Sequence, residues 1–333
     1  MSRRFWVSWE ALLLAMLLAL IAIGWATSDV FGQGSTITLI TTNSMEKALM
    51  ALPMTLIIIS GEIDLSVAST LGLSSAVIGK TWAAGWPLWL CIATVLAVGA
   101  ICGLFNGLLV TKLGLPSLVV TLGTLALYRG LAYVILGSEA ISNYPDRFAS
   151  FGFKEIPGTR VPWTMLVFIP LLIVLLILLH RSWIGRQIYA AGSNAEAARF
   201  AAVRVNQLKL GLFVLSGVVA AIAGVMFTAR VSSSRADNAT GFELDVVAAV
   251  LLGGVSIFGG RGTLIGVVLS LGVIGTLRQV LALNSSNAEL QSIAIGSLLI
   301  LSVLGPNLAR SAAGLRTGRQ FAGMRSRGAT PAD

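Results

Sequence analysis

Long apolar runs, broken only by single polar residues or short polar turns, decide the fold class of this chain before any other feature does. A helix needs roughly 20 predominantly apolar residues to cross the hydrocarbon core of a bilayer. The first run is Ala11–Ala26, and further candidate spans cover 47–60, 66–85, 88–111, 117–137, 162–180, 208–229, 243–259, 262–283 and 290–305. Those at 47–60 and 243–259 are short, and the block between 45 and 85 is interrupted by Gly61-Glu62-Ile63-Asp64. Of 333 residues, 56% are hydrophobic and 11% charged, whereas a soluble domain has about 25% charged residues. The same numbers exclude a disordered chain, a collagen and a disulfide scaffold. The 36 glycines suit close helix packing in lipid better than a transmembrane barrel, whose strands would alternate. The expectation is an all-α, polytopic helical membrane protein with about ten transmembrane helices.

The net charge of +9 fits basic loops retained on the cytoplasmic side, and no basic strip interleaved with aromatics points to nucleic acid. With ten spans and the N-terminus inside, the cytoplasmic set is Arg3, Arg4, Lys112, Arg181, Arg186, Arg199, Arg204, Lys209, Arg261, Arg310, Arg316, Arg319, Arg325 and Arg327. That is 14 of the 23 basic residues, so both termini are expected in the cytoplasm. Arg3 and Arg4 before an apolar run resemble a signal peptide, but no small-x-small cleavage site follows and many spans do. Residues 138–161 form an outside loop, 181–207 a basic inside loop, and 307–333 a basic tail without apolar periodicity, expected to be disordered. Cys91 and Cys102 share one apolar run and read as small core residues, and His180, beside Arg181, reads as interfacial.

An internal repeat is visible. Glu62-Ile63-Asp64-Leu65 and its apolar run to Gly79 resemble Glu243-Leu244-Asp245-Val246 and its run to Gly260, with Gly72 falling on Gly253 at the same offset. The charge-derived topology sends the helix after the first motif outward and the helix after the second inward. Five spans per unit would require that inversion, which points to a 5+5 inverted repeat of the transporter type.

Few residues carry chemistry. Gly79-Lys80-Thr81 imitates the end of a phosphate loop, but Ser74 stands where the first glycine belongs, so no nucleotide site is expected on this chain. Carboxylates in an apolar block cost roughly 2.5–3.5 kcal/mol each at mid-membrane. Glu62 and Asp64 are tolerated at a break opened by Gly61, either as helix caps with Ser66 or as gate and pathway residues; Glu243 and Asp245 share the question. Arg129, inside the span 117–137, faces protein or a water-filled path. Gly99, Gly103 and Gly107 recur at every fourth position and make a helix-packing face, with Asn106 beside it. Within 181–207, Asn194 is placed to cap a short helix with Glu196 in its first turn. That helix presents Arg199, Phe200 and Val203 either to a soluble partner or to lipid headgroups.

The chain resembles the permease subunits of bacterial ABC importers for simple sugars, the ribose/xylose/arabinose group. The likeness is carried by SGEIDLSVAST (60–70), LVVTLGTLALYRG (118–130), GRQIYAAGSNAEAARFAAV (185–203) and FELDVVAAVLLGGVSIFGGRGTLIG (242–266), in the family's order. Rhamnose and autoinducer-2 permeases look most similar. Glu62 departs from the family, which commonly has glycine there. The resemblance implies a permease domain over 1–306 in the bacterial inner membrane, and a second permease subunit, the same chain or a different one. It also implies an extracytoplasmic sugar-binding protein and an ATPase subunit that holds ATP and Mg. The ATPase would dock on a coupling loop that includes Gly185, Arg186, Asn194, Glu196, Arg199, Phe200 and Val203. A cofactor or metal on this chain is not implied. An ion-coupled secondary transporter is the rival reading and would need well-placed intramembrane carboxylates.

Overall fold

The computed structural model describes residues 3–284, 287, 289–291, 293–298 and 300. The tail 307–333 and the end of the tenth expected span lie outside these residues. Twelve helices follow in chain order: α1 Arg3–Thr27, α2 Gly34–Ile59, α3 Val67–Ala83, α4 Leu88–Thr111, α5 Ser117–Leu136, α6 Asp146–Phe153, α7 Met165–His180, α8 Trp183–Ser193, α9 Ala195–Phe200, α10 Val205–Val231, α11 Phe242–Leu252 and α12 Leu264–Leu283. Further helical residues occur between 289 and 300. Among the described residues there is no strand, only isolated bridges joining Ile141 to Ser234 and Glu155 to Pro162.

Five of these helices are long and apolar enough to cross a membrane: Trp9–Thr27 of α1, then α4, α5, α10 and α12. Ile101, Val119, Val134, Val174 and Ile177 are exposed on α4, α5 and α7, as helices facing lipid require. The other expected spans are helical but differ in detail. The second starts at Gly34 rather than 47 and runs 26 residues. Its polar first half includes Thr42 and Glu46 and is followed at once by Lys47, a composition that hid its true start. From Ala48 to Ser60 every residue is buried, so α2 threads the centre of the bundle, as a helix apolar on all sides must. The eighth span, expected over 243–259, is a helix of 11 residues ending at Leu252, where Gly253 packs against Val267 and Gly254 turns at φ +86°. At 1.5 Å per residue α11 rises about 16 Å, half a bilayer core.

Two reciprocal sets of contacts organise the core. Central α2 packs on α10, α11 and α12, and α10 packs on α2, α3 and α4. The tightest seam is α4 against α10. A methyl group on Gly99 would collide with the Gly217 carbonyl, on Gly103 with the Phe213 carbonyl, and on Gly107 with Leu210. The absent side chains let two backbones approach closely.

Contacts also sort the helix ends. At one end, Trp9 Nε1 donates to the Leu252 carbonyl (3.0 Å), Thr263 Oγ1 to Glu10 (2.7 Å) and Asn206 to the Thr111 carbonyl (2.9 Å). At the other, Thr38 donates to Glu155 (2.6 Å), Trp82 to the Asn143 carbonyl (3.3 Å) and Asn284 to Thr27 (3.3 Å). Lys112, Arg181, Arg186, Arg199, Arg204 and Lys209, grouped by sequence on one side, belong to the first end, which is called the α9 end below.

Candidate functional site

At the α9 end, three separate sequence pieces meet. The turn 60–66 between α2 and α3 begins where Gly61 adopts φ +86° and donates to the Ile58 carbonyl (3.0 Å). The loop 253–263 reaches it through Gly260, whose N–H donates to the Ile59 carbonyl at 2.8 Å. Gly192 of α8 lies against that same carbonyl, and a Cβ there would sit 2.7 Å from the Gly260 nitrogen. Only glycines allow this triple approach, since Gly259 and Gly260 also hold φ +78° and +70°. Tyr189 on α8 fastens the loop by donating to the Gly262 carbonyl at 2.7 Å; burial pushes its phenol up to about 12, so it stays a donor at neutral pH.

The loop 181–207 folds as two short helices rather than one. α7 and α8 meet at 66°. Ser182 caps α8 by accepting from Gly185 N–H (3.2 Å), and a side chain on Gly185 would strike the Leu179 carbonyl. Asn194 caps α9, its Oδ1 accepting from Ala197 N–H at 2.9 Å. A small apolar cluster of Ala191, Ala198 and Val205, with Val203 packed on it, sets the two helices on the start of α10. Arg186, Asn194, Glu196, Arg199 and Phe200 are exposed, and Arg199 reaches Asn206 at 3.2 Å. Phe200 is 93% exposed and Phe258, on the adjoining glycine loop, 90%. Two bare aromatic rings project from one rigidly backed end.

Behind this face the break is locked from inside. Asp64, 2% exposed, accepts from Ser66 N–H (3.0 Å), Ser66 Oγ (2.6 Å) and Ser216 Oγ (2.8 Å). Asn106 donates to Ser66 Oγ at 2.8 Å, and Tyr128 donates to Asn106 Oδ1 at 3.2 Å and to the Cys102 carbonyl at 2.9 Å. The turn is held to α5 by Ser117, which accepts from Ile63 N–H (3.2 Å), and by Thr121, which donates to the Ile63 carbonyl (3.2 Å). Glu62 forms an ion pair with Lys209 of α10.

The remaining candidates lie elsewhere. Arg129 donates to the carbonyls of Ala236 and Asn238, both at 2.7 Å, and reaches that of Ala68 at 3.4 Å. These bonds hold the irregular segment 232–241 along α3, where Ser234 abuts Gly79, Asn238 donates to Ser75 (2.9 Å), and the Asn238 carbonyl lies against Gly72. Irregular backbone inside a bundle persists only where its polar groups find such partners. Asp245 accepts from Lys47 and Arg278, each at 2.7 Å, beside a cavity of about 220 Å³ also lined by Asn43, Ser44 and Gln279. Glu243 is half-buried in the first turn of α11. The candidate pathway residues thus fall into separate groups. Glu62, Asp64 and Ser66 precede α3, whereas Glu243 and Asp245 lie inside α11, so the two like motifs occupy different backbone positions.

Sequence reading gave no site role to Lys47, Arg278 or Phe258, and counted Lys209 only among the cytoplasmic basic residues. The rule that singled out Arg129, a cation within an apolar run, applies equally to Lys47 and Arg278. Phe258 carried no signal, because an aromatic residue in an apolar segment reads as core.

Comparison with known proteins gives one consistent outcome. The family model described as "Branched-chain amino acid transport system / permease component" matches residues 36–303. The autoinducer 2 import system permease protein LsrD of Klebsiella pneumoniae is 35% identical over 308 residues, 91% of this chain and 92% of that protein. LsrD of Enterobacter sp. is 33% identical over 91% of this chain and 94% of its own, and that of Yersinia enterocolitica 35% over 78% and 80%. No solved structure matches significantly. The helical bundle with its outward apolar surfaces and these matches agree: the chain is a multi-pass membrane protein that belongs to this family of transport-system permeases.

Proposed function

We propose that the chain is the membrane-spanning permease subunit of a binding-protein-dependent ABC importer, carrying a small sugar or sugar-like solute into the cytoplasm. Its substrate class is a rhamnose-type or ribose-type sugar or autoinducer 2, the last being the cargo in the names of the relatives. The family model is described for branched-chain amino acids, so it fixes transport and not the cargo. The observation that carries the reading is the α9 end. Phe200 and Phe258 stand free on a surface whose backing is joined directly, backbone to backbone, to the central helix α2.

In this reading the α9 end faces the cytoplasm, in line with its basic residues, and both termini lie there. A separate ATPase subunit, holding ATP and Mg, docks on α8, α9 and the glycine loop. Closure of the ATPases pushes this surface, and the push passes to α2, α3 and α5 through the turn 60–66. A sugar-binding protein delivers cargo at the opposite end, and a second permease completes the pathway in the inner membrane. The 5+5 inverted repeat is supported by the reciprocal packing of α2 on α11 and α12 and of α10 on α3 and α4. Ion coupling is the poorer fit. Asp64 is held by three donors and Asp245 is paired with Lys47 and Arg278, so neither is an unpaired carboxylate of the kind ion coupling would use.

Proteoliposomes test the reading. Uptake of labelled L-rhamnose, D-ribose or autoinducer 2 should require the ATPase subunit and ATP. Uptake by this chain alone, without ATP, would overturn it.

A further inference from the structure

We propose that Glu62 is a positioning residue for energy coupling, which acts through Lys209 to make the start of α10 and the α2–α3 turn move as one body. The inference rests on the assignment of the α9 end as the ATPase-docking surface.

The geometry gives the turn one charged side-chain link to α10. α10 receives α9 through Arg199 and Asn206, and Asn206 passes the contact on to α4 by donating to the Thr111 carbonyl. One turn further along α10, Lys209 turns to the α2–α3 turn and pairs with Glu62. The turn also meets α8 and the glycine loop backbone against backbone, Gly61 beside Gly192 and Gly259, and that loop is bonded to the end of α2 through Gly260 and to α8 through Tyr189. Those contacts run through the loop 253–263, whereas the ion pair ties the turn directly to α10. Its side chains are 15% and 14% exposed, so water and salt screen it less than a surface pair.

The backbone of Glu62 is fixed independently of its side chain. Its N–H donates to the Ile57 carbonyl at 3.1 Å, and the neighbouring Ile63 is held at both its N–H and its carbonyl by Ser117 and Thr121. Asp64 is buried by its own donors. The turn therefore keeps its shape when the charge of Glu62 is removed. What the charge adds is attachment to α10. A displacement of α8 and α9 then reaches α3 and α5 in both directions of the cycle, towards and away from the membrane.

The test uses the assembled complex in nanodiscs, with a reporter cysteine introduced by Thr240→Cys at an exposed position of the segment 232–241 and native Cys91 and Cys102 buried. Labelling by a membrane-impermeant maleimide is compared with and without ATP plus vanadate. Glu62→Gln and Lys209→Met should keep the ATPase subunit bound and hydrolysing ATP, yet lose the nucleotide-dependent change in labelling. The exchange Glu62→Lys with Lys209→Glu should restore it, which a role in folding alone would not do. A nucleotide response in Glu62→Gln equal to that of the unaltered protein overturns the proposal. Absence of any bound ATPase on the unaltered protein overturns the docking assignment and this inference with it.

Discussion

The N–H of Gly260 donates to the carbonyl of Ile59 at 2.8 Å, and this one bond joins the loop that carries Phe258 to the last residue of the central helix. Ile59 ends α2, so its carbonyl lacks an intrahelical partner. Gly260 supplies one, and Gly192 leaves room for it. Whatever binds the surface of this loop pushes on the middle of the bundle without an intervening flexible side chain.

Gly192→Val should wedge this junction open. The new side chain meets the Ile59 carbonyl and the Gly260 nitrogen, both backbone and unable to turn aside. Overpacking of this kind costs about 1–3 kcal/mol. ATPase retention should fall while the membrane helices stay folded, as read by copurification together with circular dichroism in detergent.

Gly103→Val should act on stability instead. Its Cβ would strike the Phe213 carbonyl in the seam between α4 and α10, at a similar cost of about 1–3 kcal/mol. The melting temperature in detergent should drop. Gly130→Ala, where nothing lies within 4 Å of the added atom, should melt like the unaltered protein.

Asp64 separates two effects. Asp64→Asn retains an acceptor for Ser66 and should assemble normally. Asp64→Ala takes the acceptor away from the buried Ser66 and Ser216 hydroxyl groups, at about 1–3 kcal/mol for a donor left unpaired. The alanine variant should therefore melt well below the asparagine variant. Equal melting would mean that this network contributes nothing to the break.

Arg129→Met removes the donor that holds the carbonyls of Ala236 and Asn238. The segment 232–241 should loosen, and trypsin should cut after exposed Arg235 faster than in the unaltered protein. An unchanged cleavage rate would contradict the anchoring role.

Much of the fold was legible because lipid imposes a strong pattern. Runs such as 88–111 and 117–137 emerge as α4 and α5 almost to the residue, and the fourfold glycine spacing marks the side of α4 that meets α10. Asn194 as a cap was legible too, since its side chain acts within its own turn. What failed was whatever depends on tertiary surroundings. The polar first half of α2 hides a helix, because the partner of Glu46, Arg230, lies far along the chain. The end of α11 at Leu252 is equally hidden, because an apolar run continues through Gly253 and Gly254, where the packing on Val267 and the turn at Gly254 stop the helix. The site was legible as motifs but not as an assembly. Nothing in local spacing places Gly192, Gly260 and Ile59 together.

The most direct test of docking on the α9 end is retention of the ATPase subunit by a tagged permease carrying Phe200→Asp and Phe258→Asp, singly and together. Loss of an aromatic anchor from an interface commonly costs about 2 kcal/mol, roughly 30-fold in affinity. Each single variant should retain less ATPase than the unaltered permease, and the double variant essentially none, with no change in melting temperature because both rings are exposed. Retention by the double variant equal to that of the unaltered permease would contradict the assignment.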